Sequence, residues 1–244
     1  MSEATRTTEV PGIGGEGLSD LNLQLDRRLS VADQVHRVLR EAIVRVRLLP
    51  GTPISENSIC RQFAVSRTPV RAAIQRLSEE GLVDVYPQQG SFVSRIRIGG
   101  IHDNQFVRRS LEVALLREVA PIWTDAMSRS MRDAIDAQAA AIKAGDAEAF
   151  HLHDEHFHQL FAIHAGRDGV WASILAAKSQ LTRFIRFSGH AQRLPVVIGE
   201  HLAILDALDA GDAKAAEAAL VSHLDQVFIL FDQLPDEERR HFVP

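Results

Sequence analysis

Strand-forming sequence is confined to one short stretch of this 244-residue chain, and most of the rest repeats at helical spacing. Leu82-Val83-Asp84-Val85-Tyr86 and Ser91-Phe92-Val93-Ser94-Arg95-Ile96 read as two strands joined through Pro87-Gln88-Gln89-Gly90. Ahead of them, Val31, Val35, Leu39, Ala42 and Val46 follow the N-cap Ser30 at helical intervals, and this helix is expected to stop near Leu49-Pro50-Gly51. A short helix follows Ser55, and a third is capped by Ser66 and runs to about Glu80, with Pro69 in its first turn and Gly81 after its end. Three helices and a hairpin predict a winged helix-turn-helix over residues 27–98, with Ile98-Gly99-Gly100 as a linker. No strand signal is expected beyond it. Helices are expected at about 103–125, 128–144, 146–165, 169–188, 194–210 and 212–233, and Pro121 can split the first. The prediction is therefore a mostly α protein whose second part, residues 102–235, is an all-α antiparallel helical bundle of six or seven helices. Residues 1–26, rich in Gly, Thr and Glu, read as a flexible tail.

A formal net charge of −5 argues against a polyanion partner only if it is spread evenly, and it is not. Residues 27–98 hold twelve arginines against six acids, a surplus of +6, whereas the stretch from 99 onward is at −7. A basic module joined to an acidic one suits a nucleic-acid reader with a separate control domain. The single cysteine, Cys60, leaves no partner for an intramolecular disulfide. No apolar run approaches the ~20 residues that span a bilayer, and no secretory signal opens the sequence, so a cytoplasmic protein with no membrane partner is expected.

The third helix divides into two faces. Val70, Ala73, Ile74 and Leu77 form the side that packs, while Arg67, Thr68, Arg71 and Gln75 point elsewhere. A recognition helix needs this division: an apolar face to hold it rigid, and forked or amide donors for groove edges. Ser66 and Thr68 suit phosphate oxygens, and Gln89 and Gly90 at the wing tip suit the sugar-phosphate rail.

Ten of the eleven histidines lie beyond residue 100. Asp154 and His158 are four apart on one helix and share a face, while His201 and His223 stand at similar distances before and after the turn at Gly211-Asp212. Such a set can converge inside a bundle as three nitrogens and one oxygen, a donor set suited to Zn, Ni or Mn as a divalent metal ion. His151, His153, His156 and His164 are expected to be structural or solvated.

Two regions resemble known families. Ser66-Arg67-Thr68-Pro69-Val70-Arg71, then Glu80-Gly81-Leu82-Val83 and Gly90-Ser91-Phe92-Val93, are similar to the signature of GntR-type bacterial regulators. Arg108-Arg109-Ser110-Leu111-Glu112, Asp154-Glu155-His156-Phe157-His158, Glu200 to Ala207 and His223-Leu224 resemble the helical FCD domain of the FadR subfamily. The resemblance implies operator contacts by Ser66, Arg67, Thr68 and Arg71 with wing residues Gln89 and Gly90. It also implies a divalent metal on Asp154, His158, His201 and His223, and a small carboxylate effector held in part by Arg108. Asn57 and Gln89 stand where relatives often carry arginine, which removes two charges that would hold phosphate. Arg167 stands where relatives commonly have asparagine. Arg108 also reads as a surface residue paired with Glu112 one turn on.

The expectation is a transcription repressor, a homodimer on double-stranded DNA with a palindromic operator, and no enzyme. Two rivals use the same residues: a metal-dependent hydrolase, against which stands the lack of a further base or nucleophile motif, and a purely structural metal.

Overall fold

The computed structural model describes residues 17–18, 21–188, 193–232 and 242–243. The chain divides into two compact units, the first made of Met1–Ile98, Thr182–Gly189 and Asp236–Pro244, the second of Gly99–Leu181 and His190–Pro235.

In the first unit, helix α1 (Val31–Val44) starts where the Ser30 side chain accepts from the Asp33 amide, and it buries Val35, Leu39, Ala42 and Ile43. It ends several residues before Pro50. Val46 adopts a left-handed φ of 59°, and the turn this makes buries Val46 and Leu48. Burial of two more apolar side chains thus overrides the later proline stop. Strand β1 (Pro53–Ile54), helix α2 (Glu56–Phe63) and helix α3 (Arg67–Glu79) follow. Ala64 closes α2 in the left-handed region at φ 52°. Val70, Ala73, Ile74 and Leu77 pack into one cluster with Val35, Leu39, Ile43, Ile59 and Phe63, each buried aliphatic side chain stabilising the unit by roughly 1.5–3 kcal/mol.

Strands β2 (Val83–Tyr86) and β3 (Gly90–Val93) form the expected hairpin, but the sheet has three strands in the order β1-β3-β2. β1 pairs Pro53 with Phe92 and Ile54 with Ser91; two residues, one a proline at an edge, carry no readable alternation. The second expected strand also breaks. Ser94 turns aside, its Oγ donating to Gly81 O at 2.7 Å, and the chain resumes as β4 (Ile96–Arg97). β4 pairs in parallel with β5 (Phe242–Val243), a strand where none was expected. Phe242 is buried between Phe184 and Phe187, each ring centroid 5.8 Å away. In the same unit the fully buried Arg183 donates to Ser94 Oγ at 3.1 Å and to Ser94 O. Of the expected tail, residues 1–16 and 19–20 lie outside the described residues. Leu21 is buried in the core, and its carbonyl accepts from Gln62.

Ile98-Gly99-Gly100 is not an irregular linker. It forms the first turn of helix α4 (Ile98–Val119), and buried Ile96 and Ile101 on either side offset the roughly 0.5–1 kcal/mol that each helical glycine costs. A 3₁₀ turn, Ala120–Ile122, then carries Pro121. The second unit continues with α5 (Asp125–Ala144), α6 (Ala147–His164), α7 (Asp168–Ala177), α8 (Ser179–Phe187), α9 (Leu194–Asp209) and α10 (Ala213–Asp232). α4 to α10 are seven helices among the described residues, and α8 runs into the first unit from Thr182. The single helix expected over 169–188 is two, parted at Lys178, where no glycine or proline signals a break. α5 packs on α6 and α9, and α9 on α10 across the turn at Gly211, whose φ of 73° favours glycine.

Candidate metal centre and nucleic-acid interface

α6 carries Asp154 and His158 on one face, and α9 and α10, joined by the short Gly211 turn, bring His201 and His223 beside them. The ligand nitrogens of the three histidines lie within 4.8 Å of one another. Nε2 of His223 is 3.4 Å from that of His201 and 3.3 Å from that of His158. Asp154 Oδ1 stands 3.7 Å from His201 Nε2, at the edge of the group. His158 and His201 are fully buried, and the Phe157 ring stacks on His201 at 4.0 Å.

Outer partners fix which nitrogen faces inward. His201 Nδ1 lies 3.1 Å from Gln138 Oε1, and the Gln138 amide nitrogen donates to His153 O, so Oε1 is the acceptor. His223 Nδ1 meets Glu200 Oε2 at 2.7 Å, and Arg193 grips that carboxylate at 2.8 and 2.9 Å. His158 Nδ1 is 2.7 Å from Glu112 Oε2, a close contact that turns Nδ1 toward that carboxylate. With each Nδ1 proton drawn outward, each Nε2 presents its lone pair to the centre. Three lone pairs face one another, an arrangement that favours a cation between them.

Burial pushes the His158 and His201 imidazoles below their ordinary range, toward the neutral form in which an imidazole ligates. Burial alone would raise the Asp154 carboxyl, but His158, His201 and Lys178 outweigh it and hold it well below the carboxylate range. Glu112 is likewise opposed by burial and is held low by Arg108 and His158.

Arg108 is buried, not a surface residue. The pairing with Glu112 is present, Nε donating to Oε1 at 2.6 Å, while Nη2 lies 3.2 Å from His158 Nε2. Lys178, which parts α7 from α8, is a second buried cation, 3.5 Å from Glu155 and over the Trp171 ring. His151, His153, His156 and His164 are not in the cluster.

Sequence reasoning named Glu112 only as a partner of Arg108, and did not pick out Gln138, Glu200, Arg193 or Lys178 as site residues. Glu112 was signalled by its place one turn after Arg108, and Glu200 by its place beside His201 and level with His223 across the turn. Gln138 and Lys178 carry no comparable signal.

In the first unit, Ser66, Arg67, Thr68, Arg71 and Gln75 of α3 are exposed, opposite its buried face, and Gln89 and Gly90 are exposed at the hairpin end. Arg71 Nε donates to Glu56 Oε2 at 2.9 Å and Gln75 Nε2 to Glu79 Oε1 at 3.1 Å. Both contacts are exposed, where such pairs hold a side chain only weakly. Ser66 sits at the N-cap of α3 yet makes no capping hydrogen bond with its side chain. Gly90 has φ 110°, open to glycine and strained for other residues.

Residues 31–93 match the gntR family of bacterial regulatory proteins and residues 105–226 match the FCD domain. The chain is 32% identical over 221 residues to the HTH-type transcriptional repressor RspR of Escherichia coli K12, covering 90% of this chain and 96% of that one. It is 36% identical over 195 residues to an uncharacterized HTH-type transcriptional regulator of Streptomyces ambofaciens, covering 80% and 82%. The solved structure of E. coli McbR/YncC superposes with a TM-score of 0.71 at 20% identity, over 84% of this chain and 99% of that one, a likeness of fold.

Proposed function

The chain belongs to the gntR family of bacterial regulatory proteins and carries an FCD domain behind its winged helix, and on that premise we propose a repressor whose hold on a palindromic operator is set by a small organic acid bound beside a divalent metal ion. Its relatives are transcriptional regulators, so the chain is a regulator and not an enzyme. Residues 27–98 read the DNA, and residues 102–235 sense the ligand and form the homodimer.

The observation that carries this reading is the buried group of three inward-facing imidazoles. Nitrogens about 2.0–2.1 Å from a tetrahedral zinc stand about 3.3–3.4 Å from one another, and the two close Nε2 separations are 3.4 and 3.3 Å. His158, His201 and His223 would hold the metal, with Asp154 as the oxygen ligand; Zn, Ni and Mn all suit the set. When bound, the metal supplies positive charge and an exchangeable position for a carboxylate. Arg108 places a forked donor beside that position, with the geometry to grip the same carboxylate by charge-assisted hydrogen bonds. Glu112, Gln138 and Glu200 keep the imidazoles aimed.

On DNA, the exposed edge of α3 offers Arg67 and Arg71 to guanine edges and Gln75 to adenine. Ser66 and Thr68, with the helix N-terminus, take phosphate. Gln89 and Gly90 bring the wing to the backbone. In a homodimer the two winged helices meet the two half-sites, and the acid shifts operator affinity by no more than its differential affinity for the two dimer arrangements.

The test is a thermal-shift screen that crosses Zn, Ni and Mn with small carboxylic acids on the full chain, followed by operator footprinting with each hit. A metal-dependent acid hit that changes the footprint is expected. A footprint unaltered by Arg67→Ala with Arg71→Ala refutes the reader, and the absence of any metal-dependent shift refutes the sensor.

A further inference from the structure

Arg108, Glu112 and His158 close a ring of contacts inside the second unit, and all three are buried. Arg108 Nε donates to Glu112 Oε1 at 2.6 Å, and Glu112 Oε2 lies 2.7 Å from His158 Nδ1. Arg108 Nη2 then returns to His158 Nε2 at 3.2 Å. A guanidinium nitrogen has only N–H groups to offer, so at this contact it donates and the imidazole nitrogen accepts. Nε2 of an imidazole has one lone pair, in the ring plane. With Nδ1 turned toward Glu112, that lone pair is the one His158 has for any cation at the centre. It cannot serve Arg108 and a metal together, and like charge in a buried setting opposes the pair further.

We propose that Arg108 competes internally with the metal for His158, and that the metal, by taking the Nε2 lone pair, releases the guanidinium edge on which a carboxylate then binds. This rests on the metal-and-acid reading above and adds an order to it: metal first, carboxylate second. Glu112 retains Nε throughout, so the released edge stays tethered at the centre. Because linkage is reciprocal, a carboxylate on that edge tightens the metal by the factor by which the metal tightens it.

The experiment is calorimetric titration of Zn²⁺ into the metal-stripped full chain in a non-coordinating buffer, with and without acetate, for wild type, Arg108→Met and Arg108→Lys. Removing the competitor is expected to tighten Zn²⁺ by about tenfold or more, the scale of one charge-assisted hydrogen bond. Acetate is expected to tighten Zn²⁺ in wild type but not in Arg108→Met, and to leave metal-stripped wild type without measurable binding. Arg108→Lys keeps the charge, but its compact ammonium cannot span Glu112 and His158 together; it is expected to bind Zn²⁺ more tightly than wild type, and it decides the matter if the methionine variant does not fold. Zn²⁺ affinities in folded variants equal to or weaker than wild type overturn the proposal, as does acetate binding that is indifferent to Zn²⁺; both leave the metal site itself standing. Wild type that takes up no Zn²⁺ fails the underlying reading and this inference with it.

Discussion

Arg71 and Arg108 each hold a glutamate, at 2.9 and 2.6 Å, but one pair lies on the open edge of α3 and α2 and the other inside the helical unit. The Arg71 side chain is 65% exposed and that of Arg108 7%. At the surface water competes for both partners and salt screens them, so the pair can be exchanged for a ligand at little cost. Inside, neither charge has a solvent alternative, and the pair is bound into the fold. The exposed edge of α3 is thus built from groups whose contacts are cheap to give up. The histidine centre is built from groups already committed to one another, which only a strong competitor rearranges.

The largest effect should separate the two pairs directly. Glu112→Ala, which strands the Arg108 charge, is expected to lower unfolding free energy by about 3–5 kcal/mol, and Glu56→Ala by about 0–1 kcal/mol, both read by urea denaturation. Equal losses would erase the contrast. Next, zinc at a hundredfold excess over its dissociation constant should stabilise the chain by about 2.7 kcal/mol, seen as a rise in melting temperature that His201→Ala abolishes and that Arg71→Ala leaves intact. A rise surviving His201→Ala would place the metal elsewhere. On the reading side, Arg71→Ala is expected to weaken operator binding by about 1–3 kcal/mol with an unchanged melting temperature, measured by gel shift at fixed salt. The smallest effect compares two serines. Ser55 accepts from the Ser58 amide and Ser66 makes no capping bond. Ser55→Ala should therefore cost about 0.5–2 kcal/mol of stability, whereas Ser66→Ala should leave stability unmoved and weaken DNA binding alone.

Much of this was legible in the residues because it rests on local periodicity. The two faces of α3, the cap at Ser30, the helix start after Ser55 and the hairpin from Val83 to Val93 each follow from a few adjacent side chains. The meeting of His158, His201 and His223 was readable too, since a four-residue step and a tight helical turn fix relative height. What escaped was settled at long range. β1 and β5 are two residues each, and only their partners make them strands. Lys178 parts two helices with no breaker, and Gln138 reaches His201 from 63 residues away. The helical turn at Ile98-Gly99-Gly100 runs against glycine's own preference and is held by its buried neighbours.

The β4–β5 pairing carries a practical corollary. Phe242 and Val243 follow α10 in the sequence yet belong to the compact unit that contains α3 and the hairpin. Removing Phe242 and Val243 is therefore expected to disturb the first unit rather than the helical one, so a loss of operator binding on such a truncation would not by itself report on the histidine centre.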